Sequence, residues 1–86
     1  MKKVEVFYLE SCPHCRRSFK MIDALKLKKP EYSDVKIEYI EESKNVRAAE
    51  AHDYYYVPAF YVDGVKVHEG VPTFEKIETV LKKAIS

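Results

Sequence analysis

The only two cysteines of the chain stand as Cys12-Pro13-His14-Cys15. Two thiols at this spacing can cycle through a disulfide, hold a soft metal ion, or sit inert, and their position favours the first. Pro13 suits the first turn of a helix, where its missing N–H costs nothing. Cys12 then falls at the helix N-terminus, where unpaired N–H groups and the positive end of the helix dipole favour a thiolate over a thiol. Cys15 lies almost one turn deeper, on a stripe shared with Phe19 and Ile22. The expected arrangement is an exposed nucleophile, Cys12, and a recessed partner, Cys15, that resolves the mixed disulfide formed by the first attack. Pro13 and His14, enclosed between them, are the residues expected to tune the thiolate and the reduction potential. Stabilising the reduced form by about 1.4 kcal/mol raises that potential by about 30 mV. Arg16 and Arg17 add positive charge nearby, and Glu10 opposes them. A zinc site wants four ligands, and His14, His52 and His68 are the only further candidates, without the spacing of a ligand set. A metal-binding or metal-transfer module is the alternative reading.

The elements that must position this pair are legible in the hydrophobic pattern. Val4, Val6 and Tyr8 alternate with Glu5, Phe7 and Leu9, giving a strand apolar on both faces from residue 6 onward, as in a central strand covered on two sides. The helix opened by Pro13 carries Cys15, Phe19, Ile22 and Leu25 at helical spacing and stops at Lys28-Lys29-Pro30. Val35, Ile37, Tyr39 and Ile40 form a second strand. Ser43 can cap a second helix over about Lys44 to Asp53, although its apolar face is weak. Ala59 to Val62 and Val65 to Glu69 flank Asp63-Gly64, the pattern of a two-residue hairpin whose central residues need positive φ. Thr73 caps a last helix with Phe74, Ile77, Leu81 and Ala84 on one face and Val80 and Ile85 beside them. The expected order is βαβαββα, an α/β fold with a central mixed four-stranded sheet and three helices.

Eighty-six residues make one domain, 1–86, too short for a second core. Fifteen Lys and Arg against fourteen Asp and Glu leave a net charge of +1, so no global field gathers nucleic acid or anionic lipid. No apolar run approaches the roughly 20 residues of a membrane span. Met1-Lys2-Lys3 does not open a signal peptide, because Glu5 and Glu10 interrupt the apolar stretch. The expected setting is therefore the cytoplasm, where a close cysteine pair is more often catalytic, redox-sensing or metal-binding than a permanent staple. The chain is expected to act as a monomer without nucleic-acid or membrane partners.

The residues resemble the thioredoxin and glutaredoxin superfamily over nearly the whole chain. A CxxC follows the first strand, Val57-Pro58 opens the strand before an Asp-Gly hairpin, Gly70 follows the hairpin, and an amphipathic helix closes the chain. The resemblance implies thiol–disulfide oxidoreductase activity on protein or low-molecular-weight disulfides, with a reductase or glutathione for recycling and no cofactor beyond the Cys12–Cys15 disulfide. It implies a cis Val57–Pro58 bond packed against the cysteines, with Gly70 leaving space for substrate backbone. Tyr55 and Tyr56, just before Val57 and Pro58, are expected either to cover apolar surface or, one of them and Tyr56 by preference, to line the substrate groove with Val57, Pro58 and Gly70. The compact length is similar to glutaredoxin. Where glutaredoxins hold glutathione, however, this chain has Leu9-Glu10 and Glu69-Gly70-Val71-Pro72-Thr73, and Val6 replaces the buried aspartate of thioredoxins. The dipeptide Pro13-His14 resembles that of the strongly oxidising periplasmic enzymes. Of the remaining residues, Tyr54 is expected to anchor the second helix, and His52 and His68 to be surface or edge residues. Lys26, Lys28 and Lys29 are expected to form a solvated helix end.

Overall fold

The computed structural model describes residues 1–86. Val4–Tyr8 forms β1, Pro13–Lys28 α1, Ile37–Glu41 β2, Val46–Glu50 α2, Ala59–Val62 β3, Val65–Glu69 β4 and Phe74–Ile85 α3, with 3₁₀ turns at Pro30–Tyr32 and Glu42–Lys44. The strands lie in the order β2-β1-β3-β4. β1 and β2 are parallel, which requires a crossover and finds it in α1. β1 with β3 and β3 with β4 are antiparallel. The expected α/β architecture, a mixed four-stranded sheet with three helices, is the one observed.

Both faces of β1 are covered, as its composition requires. Val4 and Val6 join Ile22 and Leu25 of α1, Tyr32, Val35, Phe60 and Val62, and Ile77, Val80, Leu81 and Ala84 of α3 in the larger core cluster. Phe7 points the other way, into a smaller cluster with Ala59 and Tyr61, against which Ala48, Ala49 and Tyr54 pack. The sheet therefore holds the C-terminal end of β1, and with it the start of α1, between two packed layers. Asp63 and Gly64 have φ of 47° and 81°, the left-handed pair that a tight hairpin turn demands. Thr73 caps α3 by accepting from the Lys76 N–H at 3.1 Å.

Three local expectations are corrected. The second helix is shorter than residues 44–53, and Ser43 does not cap it: Ser43 falls in the 3₁₀ turn and donates to Glu41, leaving at the cap position Asn45, whose side chain donates back to the Glu41 carbonyl and makes no capping bond. The lysine cluster is not simply solvated. Lys26 donates to the Val35 carbonyl at 2.6 Å, and Lys29 pairs with Glu78 at 2.5 Å on the oxygen that also accepts from the Tyr32 hydroxyl at 2.8 Å. The first bond ties α1 to the segment before β2, and those to Glu78 tie the end of α1 to α3. Finally, Phe74 and Ile85 lie at the rim of α3, 54% and 38% exposed, because the sheet covers a narrower stripe than the sequence offers. No helix is long and apolar enough to cross a membrane.

Candidate active site

Cys12 is the N-cap of α1. Its backbone is extended, and its Sγ accepts from the Cys15 N–H at 3.3 Å, one of the donors that a helix start leaves without an intrahelical partner. Its own N–H donates to the Leu9 carbonyl at 3.1 Å, and its carbonyl accepts from the Arg16 N–H at 3.2 Å. Cys12 is half-buried and Cys15 is fully buried, and both are thiols. Burial, and after it the hydrogen bond that the Cys15 thiol donates to Cys12, push Cys15 up to about 12. The two sulfurs thus occupy the contrasting environments that the sequence suggested. Ser18, also buried, spends its hydroxyl on the Cys15 carbonyl at 2.7 Å and leaves the sulfur free.

The second wall of the site comes from the chain entering β3. The Val57–Pro58 bond is cis, Pro58 is buried, and the Val57 carbonyl lies 3.9 Å from Cys12 Sγ, within reach of its thiol as donor. Gly70 donates its N–H to the Pro58 carbonyl at 3.0 Å. Its φ is +88°, and a Cβ placed there would make only an ordinary contact of 3.7 Å with Tyr56. Backbone conformation, more than want of space on that side, calls for glycine here. Tyr56, Val57, Pro58 and Gly70 are therefore brought together, with Val57 against Cys12. Pro13 stands exposed at the start of α1, and His14 is half-buried with Nδ1 covered and lacking a hydrogen-bond partner.

Two carboxylates fix this site, and no spacing in the sequence pointed to either. Glu41 ends β2 opposite Tyr8 of β1. One of its oxygens accepts the Glu10 N–H at 3.0 Å, just ahead of Cys12, and the other accepts the N–H and hydroxyl of Ser43, both at 2.6 Å. The Ser43 hydroxyl first, and then the Glu10 N–H, hold this carboxyl below the usual carboxylate range. Glu69 ends β4 and accepts the N–H groups of both Tyr55 and Tyr56, at 2.8 and 3.0 Å, on one oxygen, while the other pairs with Lys66 at 2.6 Å. Lys66 foremost, with the two amides, lowers Glu69 to about 2. The carboxylate fastens the loop before Pro58, and the Tyr55 and Tyr56 side chains stand out from it, 85% and 68% exposed.

Tyr54 anchors the second helical region as expected, stacking on Phe7 with ring centroids 5.3 Å apart and donating to Glu42 at 2.5 Å. His68 lies on the edge strand β4 as expected, whereas His52 is no plain surface residue. His52 sits 4.5 Å from Phe7 and 4.8 Å from Tyr61, between their rings, with Nδ1 2.7 Å from the Ala48 carbonyl. His68 stacks over Phe60, and burial lowers its pKa. Aromatic neighbours from other strands draw both rings inward, which local sequence does not reveal. No three His, Cys, Asp or Glu side chains converge as metal ligands would, and neither cysteine lines any hollow of the surface. Cys12 keeps part of its surface open to solvent.

The chain has relatives among known proteins. A family profile described as a thioredoxin domain matches residues 2–82. The chain belongs to the thioredoxin family. It is similar to a thioredoxin of Methanocaldococcus jannaschii, 28% identical over 83 residues that cover 96% of this chain and 95% of that protein. Among solved structures, a Malassezia sympodialis thioredoxin superposes with a TM-score of 0.75 at 15% identity, over 99% of this chain and 76% of the other. An oxidised thioredoxin from Plasmodium falciparum gives a TM-score of 0.71, also at 15% identity, over 99% of this chain and 82% of its own. At such identities the structural likenesses establish the thioredoxin fold, and the family profile places the chain within the superfamily that its motifs resemble.

Proposed function

We propose that this thioredoxin-family chain is a dithiol–disulfide oxidoreductase, with Cys12 as nucleophile and Cys15 as resolving thiol. The observation that supports it best is the asymmetry of the pair: Cys12 capping α1 at the surface, Cys15 fully buried behind it and held as a thiol. The Cys12 thiolate attacks a substrate disulfide R–S–S–R′, forming Cys12–S–S–R and releasing R′S⁻, which takes a proton from water. Engaging Cys12 removes its hydrogen bond and its charge, two of the influences that hold Cys15 protonated. Cys15 then loses its proton to solvent, attacks Cys12 Sγ, closes the Cys12–Cys15 disulfide and releases RS⁻. Two electrons have passed to the substrate, and a reductase or glutathione returns them.

The substrates proposed are chiefly protein disulfides, since partly exposed Cys12 stands beside Val57, with Tyr56, Pro58 and Gly70 placed to meet an extended chain. The redox pair needs no further cofactor, and a reducing compartment such as the cytoplasm suits it. Metal transfer is the less favoured reading, because no third ligand approaches the thiols. The reduced protein should reduce insulin disulfides at a rate that Cys12→Ser abolishes, and Cys15→Ser should trap mixed disulfides visible by mass spectrometry. Stoichiometric zinc or Cu(I) binding without turnover would instead support the metal reading. His14 is proposed to stabilise the Cys12 thiolate, giving a potential above the roughly −270 mV of thioredoxin. His14→Ala should then make the potential more negative in glutathione redox titrations, and an unchanged value would remove His14 from the tuning residues.

A further inference from the structure

The charges around Cys12 are unbalanced in a way that the fold does not explain. Every carboxylate bordering the site is engaged: Glu10 pairs with Lys44 at 3.0 Å, Glu69 with Lys66 at 2.6 Å, and Glu41 spends both oxygens on Ser43 and the Glu10 N–H. Arg16, Arg17 and Lys20 on α1 are exposed and make no salt bridge. Arg16 donates to the Glu10 carbonyl at 2.9 Å, which holds its guanidinium against the redox loop without neutralising it. The first turn of α1 carries no acidic residue, and its one acid, Asp23, comes later in the helix.

This placement works against helix stability. Cations near a helix N-terminus oppose the macrodipole, and Arg16 with Lys20 and Arg17 with Lys20 are like charges at the spacings where side chains meet. Arg17 also follows Pro13 by four residues on the exposed face. Helical side chains lean in general toward the N-terminus, the end at which Cys12 stands, and Arg16 reaches the redox loop directly. A positive field beside an exposed thiol speeds encounter with negative partners.

We infer that the Cys12 site selects polypeptide disulfides flanked by acidic residues, with Arg16, Arg17 and Lys20 as the specificity-determining cations. This rests on the disulfide-exchange reading. The test compares two disulfide-linked peptides that differ only in carrying Glu or Lys on either side of the cysteine, reduced by the stoichiometrically reduced protein. At about 10 mM ionic strength the acidic peptide should react about tenfold faster or more, and the gap should close to within about twofold at about 500 mM. Arg17→Glu combined with Lys20→Glu should reverse the order. Equal rates for the two peptides at low salt would overturn the inference while leaving disulfide exchange intact. So would a variant in which both rates fall alike, because the cations would then act on the thiolate and not on the substrate. Reduction of neither peptide would remove the disulfide-exchange reading itself. The wild-type comparison decides the matter even if the charge-reversed variant fails to fold.

Discussion

Cys12 and Cys15 are chemically identical but differently placed, Cys12 half-buried at the start of α1 and Cys15 fully buried behind it. Iodoacetamide should therefore alkylate Cys12 far faster than Cys15 near neutral pH, as peptide mapping would read, and equal rates would contradict the assigned roles. The raised Cys15 thiol also predicts a pH dependence. An unfolded cysteine titrates near 8.5, whereas this one is held up to about 12, so the fold favours its protonated form. That contribution is fully present below about pH 8.5 and is lost as the pH rises through 12. Urea unfolding of the reduced protein at pH 7 and pH 10 should show the stability difference between wild type and Cys15→Ala shrinking at the higher pH. A constant difference would mean that burial does not set this thiol. The contrast between a capping Cys12 and a buried Cys15 was legible in the sequence because it depends on position within one helix, where a proline marks the start and spacing marks depth.

At the level of elements, two strand-end carboxylates do what the helix and the cis proline cannot do alone. Glu69→Gln should loosen the loop bearing Tyr55 and Tyr56, speeding hydrogen exchange at both amides and raising KM for a protein disulfide more than it lowers kcat for a small one. Glu69 is depressed to about 2 from an ordinary value near 4.3. Its contribution to stability is thus present above about pH 4.3 and lost as the pH falls through 2, and the Gln variant should lack that acid limb. Strands, helix starts and the hairpin could be read from the chain because each has a period or a turn residue. Glu41 and Glu69 could not, because side-chain bonds to backbone amides distant in sequence leave no pattern. The same holds for His52, drawn between Phe7 and Tyr61 by contacts that exist only once the sheet is assembled.

Across the whole molecule, stability rests on α1 and α3 packed over one sheet face. Ile77, fully buried on α3, should cost about 2–5 kcal/mol when cut to alanine. In a domain of this size each kcal/mol lowers Tm by roughly 4–8 °C. Phe74→Ala on the same helix should cost far less, since that ring is 54% exposed. Calorimetry on the two variants separates the face that was legible from the rim that was not, and similar losses would contradict the observed orientation of α3. Small apolar cores leave little reserve, so the bond from Lys29 and Tyr32 to Glu78, invisible in the lysine pattern, adds a polar tie where the two helices meet.

The sulfur proposed to react is also the sulfur that caps α1. One atom thus carries two selective pressures, and substitutions at position 12 can be sorted by which of them they satisfy. Serine is among the best N-caps and no nucleophile for disulfides, whereas alanine is neither, and losing a cap costs about 1 kcal/mol. A lineage that abandoned redox chemistry could accept serine at this position without weakening its helix, and would keep a well-folded scaffold free to bind the same partners without reacting with them. Cys12→Ser should accordingly match the reduced wild type in thermal stability while Cys12→Ala falls below it, which makes the serine protein a substrate trap's silent twin.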